Sequence, residues 1–357
     1  MAAMAVRANG FEEPAAAVEL RSSAAIFALP PELEAHEPIE ARGGTRDSVR
    51  LLVTRGTEGR AQHASFRQLP YFFSPGDVLV LNVSATVPAA LKARSADDVA
   101  YPLHVSTGLP GGIWIVEPRD YAPRAGETAA LPADATVTYL SPYRDSHRLW
   151  LARLDGVRTL SRYLGEHGAP ITYRHVHGQW PLQMYQTAYA TAPGSAEMPS
   201  AGRPFTAEVL DRLRAFGVDI ARVVLHAGVS SLERDEPPHE EYFEVPPETA
   251  ALIAKAREKG TRVIGVGTTS VRALESATDN HGDVVAARGW TDLMIAPERS
   301  IASVDGMLTG FHEPQSSHLA ILQALVGPAH VAHAYEQALA GRYLWHEFGD
   351  SHLLLRK

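Results

Sequence analysis

Thr261-Arg-Val-Ile-Gly-Val-Gly-Thr-Thr-Ser-Val-Arg-Ala-Leu-Glu-Ser276 is the stretch from which the fold can be read. Residues 261–266 have strand composition. Val271, Leu274 and Ala277 then recur at helical spacing, which predicts a helix over 270–278. Strand, tight polar turn and helix follow one another directly. Such a turn aims backbone N–H groups at one point, beside the positive end of a helix dipole. It can hold an anion or a polar ligand. The plainer alternative is that Thr268, Thr269 and Ser270 only cap their own helix. Arg272 and Glu275 lie one helical turn apart, and either face a ligand or pair with each other at the surface.

The same alternation continues on both sides. Ala221-Arg-Val-Val-Leu-His226 reads as a strand. Thr206 can cap a helix over 207–216 that ends at Gly217, and Pro247 opens another that ends at Gly260. Helical stretches follow from Pro314 to Val326 and from Pro328 to Ala340, with strands near 343–347 and 352–355. Alternating strands and helices predict an α/β domain with parallel strands.

Residues 60–154 have a different character. Short apolar or β-branched runs recur there, separated by Ser74-Pro-Gly-Asp77, Gly108-Leu-Pro-Gly-Gly112 and Ser141-Pro142. That spacing predicts a small antiparallel barrel or sandwich. A strand at 49–53 precedes it, so the β-rich segment is expected to be inserted. The expected organisation is a disordered, Ala-rich leader over 1–24, a large α/β domain from 25–59 plus 155–357, and an inserted β-barrel domain over 60–154.

The 357-residue chain is 45% hydrophobic and 21% charged, which is ordinary globular composition. It has no cysteine, which excludes disulfides, thiolate metal sites and cysteine nucleophiles. No apolar run approaches the ~18 residues of a membrane span. With no signal-peptide pattern, a cytoplasmic protein is the simplest expectation. Net charge is −8, whereas a generic nucleic-acid binder is usually basic, so RNA contact would need a local patch. Gly265-x-Gly267 lacks the third glycine of a dinucleotide fingerprint, and there is no Walker sequence.

His226 is expected at a strand end. His239 and Glu241, two apart, would share the face of a strand. Two histidines and a carboxylate suggest a metal triad, but a hydrogen-bonded loop is the plainer reading and no metal is expected. Arg46 and Asp47 can be a plain turn.

Further motifs stand in order along the chain: Arg46-Asp47-Ser-Val-Arg50, Gly76-Asp77-Val-Leu-Val-Leu-Asn82, Tyr185-Gln186-Thr187-Ala-Tyr189, Pro199-Ser-Ala-Gly202, Leu225-His226, His239-x-Glu241, Gly267-Thr-Thr-Ser270, Phe311-His312-x-Pro314 and Gly349-Asp350. The series resembles the S-adenosylmethionine:tRNA ribosyltransferase-isomerase family of the queuosine pathway. It covers nearly everything after residue 25.

The resemblance implies a large α/β, barrel-like domain carrying an inserted antiparallel β-barrel. It implies transfer and isomerisation of the ribosyl group of S-adenosylmethionine onto the aminomethyl group of a 7-deazaguanine base in tRNA. The amine attacks the anomeric carbon, adenine and methionine leave, and an epoxy-cyclopentanediol remains. S-adenosylmethionine is a co-substrate, and no metal, redox cofactor or membrane is implied.

The resemblance also implies site roles. Arg272, Glu275 and His226 would be catalytic: Arg272 anchoring a carboxylate such as the methionyl end, Glu275 orienting ribose hydroxyls or taking a proton. Gly267, Thr268, Thr269, Ser270, Tyr185, Gln186, His239, Glu241, His312, Asp350, Arg46, Asp47 and Asn82 would bind substrate.

The chain departs from the family pattern at several motif centres. After Asn82 the family reads Asp-Thr-Arg-Val-x-Pro-Ala-Arg-Leu, and this chain has Val83-Ser-Ala85-Thr-Val-Pro88-Ala-Ala90-Leu91. Arg203 and Pro204 stand at Leu-His. Glu313 and Gln315 stand at Leu and Lys of Phe-His-Leu-Pro-Lys. Near the end, Tyr-Arg-Phe-Phe-Ser-Tyr-Gly-Asp is Tyr343-Leu344-Trp-His346-Glu347-Phe348-Gly-Asp350. Lost Arg and Lys remove groups suited to phosphate. Two rival readings therefore accompany the first: a paralogue giving the ribosyl group to another, small acceptor, and a non-catalytic binding protein.

Overall fold

The computed structural model describes residues 27–56, 60–144, 146–229, 239–314 and 316–356. The expected leader over 1–24 and the motif position Gln315 lie outside these residues.

The first strands are β1 (Arg50–Arg55), β2 (Arg60–Ser65), β3 (Val78–Asn82) and β4 (Ser84–Thr86). Next come β5 (Ala90–Arg94), β6 (Ala100–Leu109), β7 (Ile113–Pro118), β8 (Thr128–Ala130), β9 (Thr136–Pro142) and β10 (Trp150–Asp155). After α1 (Leu160–His167) the chain forms β11 (Ala192–Ser195), α2 (Ala207–Ala215), β12 (Asp219–Leu225), β13 (Glu241–Val245) and α3 (Pro247–Lys259). Then follow β14 (Val263–Val266), α4 (Gly267–Ser276), β15 (Ala287–Thr291), β16 (Gly306–Gly310), α5 (Ser317–Val326), α6 (Pro328–Ala340) and β17 (Ser351–Leu355).

Nine strands make one mixed sheet in the order β15-β13-β12-β3-β14-β16-β17-β1-β2. Its centre, β12-β3-β14-β16, is parallel. β3 and β14 are buried along their whole length, so Val78-Leu-Val-Leu81 and Val263-Ile-Gly-Val266 read as unbroken apolar runs. One core, with Val80, Val223 and Leu274, lies on one side; a second, with Leu79, Leu213 and Ile264, lies on the other. The sheet ends at β15 and β2, so the barrel-like closure expected of the large domain gives way to an open sheet among the described strands.

Strands β10-β7-β6-β5-β8-β9 close a separate antiparallel barrel. Its interior packs Leu91, Leu103, Val116, Val137 and Tyr139. The large sheet extends past the expected boundary at residue 60. β2 pairs with β1, and β3 with β12 and β14, all in the large sheet, and the barrel strands start at Ala90. β4 and β11 pair in parallel as a two-stranded neck beneath the barrel, Ala192 opposite Ser84.

On barrel strand β7, Glu117 is buried with three cationic or imidazole partners. His104 Nδ1 lies 3.0 Å, Arg119 Nε 2.8 Å and Arg148 Nη1 3.0 Å from its oxygens. Burial opposes ionisation, but the His104 hydrogen bond and the two arginines win and bring its pKa from 4.5 down to about 2. A depressed carboxyl pKa contributes stability above the unfolded value and loses it as pH falls through the folded one. We therefore expect ~3 kcal/mol of stability to disappear between pH 4.5 and 2, and Glu117→Gln to flatten that slope. Urea melts across that range measure both; equal slopes would contradict it.

Candidate functional site

The opening stretch builds the floor of the site. β14 runs straight into α4, and Gly267 makes the turn with φ +78, a conformation that a side chain disfavours. The strand also carries Gly265, where a Cβ would lie 2.9 Å from Val271; its absence lets α4 fold back closely on β14. The helix begins three residues earlier than predicted, and the Thr268–Ser270 hydroxyls do not cap it. Thr268 and Thr269 instead line a cavity of about 460 Å3, within the usual range of small-ligand sites. Ser270 is fully buried and its Oγ donates to Val266 O at 2.7 Å, so it serves the helix.

Asn82, at the end of β3, ties this floor to the neck. Its Nδ2 donates to Thr269 Oγ1 at 3.1 Å and Leu225 O at 2.9 Å, while its Oδ1 accepts from Leu225 N and Ser84 N. Gln186 clamps Thr86 through both amide atoms, at 3.0 and 2.7 Å. Arg46 holds the carbonyl of Gln186 at 2.9 Å, and Asp47 accepts from Thr45 and Arg67. These side chains position the cavity, whereas Tyr185 and Thr86 line it. The Tyr185 hydroxyl is buried without a partner among the described residues, and burial raises its pKa to about 12.

His226 Nδ1 meets Ser84 Oγ at 2.7 Å, and Ser84 in turn meets Ser195 at 2.6 Å. Burial lowers the imidazole pKa, so it is neutral near pH 7. His226 belongs to the neck rather than the cavity wall.

Arg272 and Glu275, expected to act together, point to different places. Arg272 donates to Glu241 and, through Nε, to Leu293 O at 3.1 Å. Glu241 also accepts from Gly228 N at 2.8 Å. Arg272 Nη2 is buried and unpartnered among the described residues, which leaves its two N–H groups without an acceptor. Glu275 Oε1 accepts from Ala302 N and Ser303 N, both at 2.9 Å, and Arg299 lies 3.5 Å from Oε2. Glu275 therefore organises the 299–303 segment away from the cavity.

His239 bonds Ser106 at 3.2 Å, which joins the barrel to the large domain. The described residues hold no group of three or more His, Asp or Glu side chains placed to bind a metal.

The far wall comes from the C-terminal motifs. His312 lines the cavity, with Nε2 2.8 Å from Thr309 Oγ1. His318 lines it too, and burial, assisted by the Arg272 charge, lowers its pKa to about 4. Both imidazoles are uncharged near pH 7, since burial also depresses His312 strongly. Asp350 does not reach the cavity. It accepts from Arg50 N and Leu344 N, both at 2.8 Å, and fixes the preceding loop. That loop presents His346 and Glu347 to the cavity, beside Tyr173 and His175. Sequence reasoning missed Tyr173, His175 and Glu197. The first two sit between α1 and β11 in a segment without periodicity or motif. His346 and Glu347 were visible only as departures from the family pattern.

A family model described as queuosine biosynthesis protein matches residues 23–354. The S-adenosylmethionine:tRNA ribosyltransferase-isomerase of Symbiobacterium thermophilum is 38% identical, covering 94% of this chain and 100% of that protein. Its counterpart from Thermus thermophilus is 34% identical, covering 92% and 98%. The crystal structure of S-adenosylmethionine tRNA ribosyltransferase from Thermotoga maritima matches with a TM-score of 0.53 and 31% identity, over 92% of this chain and 99% of that one. With the family model matching residues 23–354 and these relatives matched over nearly their whole length, the chain belongs to the queuosine biosynthesis protein family.

Proposed function

We propose that the chain is an S-adenosylmethionine-dependent ribosyltransferase-isomerase that acts on a 7-aminomethyl-7-deazaguanine base in tRNA. The observation that carries this reading is the cavity over the Gly267–Thr269 turn, in a chain whose full-length relatives bear that name. In this reading the turn and Thr309 receive the donor, and Arg272 Nη2 supplies a charged donor for its methionyl carboxylate. Asn82, Gln186, Arg46 and Asp47 hold the walls in register, which matters because reacting atoms must be held near ~3 Å of each other. His312 and His318, both neutral, offer hydrogen bonds without adding charge beside a sulfonium.

The test is to incubate the protein with S-adenosylmethionine, with and without tRNA carrying the aminomethyl base, and measure free adenine and methionine. Release that depends on the tRNA is expected. Release that ignores it, or none at all, would refute the reading.

Tyr185 gives a sharper check. Its orphaned hydroxyl costs stability in the empty protein, so Tyr185→Phe should stabilise the fold by about 1 kcal/mol while weakening donor binding about tenfold. Thermal melts and calorimetry read the two effects. A destabilised variant with unchanged donor affinity would remove Tyr185 from the site.

A further inference from the structure

One face of the large sheet carries an aromatic row that the assigned donor site does not use. Strands β12, β13 and β15 lie side by side at one side of the sheet. Leu225 pairs with Phe243, and both side chains are buried in the core. One residue along each strand, the alternation turns side chains to the opposite face. There His226, Tyr242 and Trp290 stand in line across the three strands. Tyr242 pairs with Trp290, and His226 N donates to Tyr242 O at 3.0 Å.

The rings meet in sequence. The His226 and Tyr242 centroids are 5.7 Å apart with planes at 26°, and those of Tyr242 and Trp290 are 5.9 Å apart at 75°. The row opens outward: His226 is half-buried against Ser84 of the neck, Tyr242 is partly exposed, and Trp290 is 48% exposed. A lone exposed apolar side chain is ordinary, but this indole ends a chain of ring contacts. Exposed Arg222 on β12 and exposed Arg288 on β15 share the face. The inner end of the row reaches the cavity, since Ala227, next to His226, lines it.

We propose that this row docks the unpaired nucleotides beside the target base, with one base stacked on Trp290. The inference rests on the proposed function, which brings a tRNA base to the cavity. A base that enters a cavity has left its stack, and its neighbours lose a stacking partner. Aromatic side chains on an open sheet face replace that contact and hold single-stranded RNA. Trp290 stands nearly perpendicular to Tyr242, so the two rings suit bases turned apart rather than a continuous stack.

Charge does less here than stacking. Arg222 and Arg288 can each meet a phosphate, but Glu244 lies on the strand between them, opposite Arg288. The chain as a whole carries −8. The face is therefore not the dense basic patch that binds any nucleic acid, and the rings have to carry the affinity. Base stacking on an aromatic ring does not depend on released counterions, so its share of the binding persists as salt is raised.

The test uses an RNA stem-loop that carries the aminomethyl base in its loop. Trp290→Ala should raise its Kd about 10–100-fold, by the same factor at low and high salt. Trp290→Phe, which keeps a ring, should recover most of that loss. Phe216→Ala, which removes another exposed ring at the end of α2, should bind like the wild type. The RNA should also quench the fluorescence of the wild type, which has five tryptophans, and Trp290→Phe should lose most of that quench. Trp290→Ala within twofold of wild type, or a loss that shrinks away as salt rises, overturns the proposal. So does a Trp290→Ala protein that sediments as a monomer where the wild type is a dimer, with RNA affinity intact, because the face then serves a second copy of the chain. A wild type that binds the stem-loop through Trp290 yet never releases adenine supports the docking and overturns the assigned reaction. A wild type that ignores the stem-loop overturns both.

Discussion

Arg272→Ala is expected to cost about 3–5 kcal/mol of unfolding free energy, a loss readable in urea or thermal melts. The Arg272 and Glu241 side chains are only 14% and 5% exposed, and they hold each other through a charged hydrogen bond. Deleting the arginine leaves Glu241 buried with Gly228 N as its remaining hydrogen-bond donor. An unpaired buried carboxylate is costly, so most of the loss comes from what remains rather than from the bond removed. Pairing the variant with Glu241→Ala should therefore recover much of it, and a double-mutant cycle should return a coupling above ~2 kcal/mol. Arg272→Lys separates stability from binding. It keeps a charge near Glu241 but loses the planar fork and its free Nη2. It should cost little stability and weaken S-adenosylmethionine at least tenfold. An Arg272→Ala protein within ~1 kcal/mol of wild type would contradict the burial argument.

Gly168→Ala is expected to destabilise by about 3 kcal/mol and to impair turnover without touching a ligand. Gly168 closes α1 with φ −92, so backbone strain is not the reason. The reason is space: a Cβ would lie 1.9 Å from Pro88 O and 2.7 Å from Leu164 O, and both are backbone atoms that cannot rotate away. Immediately beyond, Ala169 and Ala90 exchange two backbone hydrogen bonds of 2.9 Å. That bridge fastens the chain that carries Ile171, Tyr173 and His175 into the cavity wall. Gly168→Ala should shift the wall and the neck together, lowering kcat/KM as well as the melting temperature. Wild-type stability would show that the helix end yields more easily than the contact distances imply.

The centre of the fold was legible because parallel strands buried on both faces leave continuous apolar runs, as in 78–81 and 263–266. Turn residues also gave the strand rhythm of the barrel. The misreadings have local causes. Tyr343 and Trp345 alternate like a strand, but the backbone turns at Arg342 and His346, both with positive φ, and the two rings pack around Phe311. β16 is five residues with glycine at both ends, too short and too interrupted to stand out. Within the site, Gly267, Thr268 and Thr269 could be found because one local motif contains them. Glu275 lies in the same motif, yet its partners are 27 and 28 residues away, so sequence alone could not show that it holds a loop. His175 and Glu347 are 172 residues apart, and only the fold brings them together.

In the proposed function, the cavity above the Gly267 turn delivers the ribosyl group of S-adenosylmethionine to a tRNA base. The most direct measurement uses two preparations of the donor, one labelled in the ribose and one in the methyl group, with tRNA carrying the aminomethyl base. Ribose label should appear in the tRNA, with unlabelled adenine and label-free methionine released in equal amounts. Methyl label in the tRNA, or no label transferred from either donor, would contradict the account.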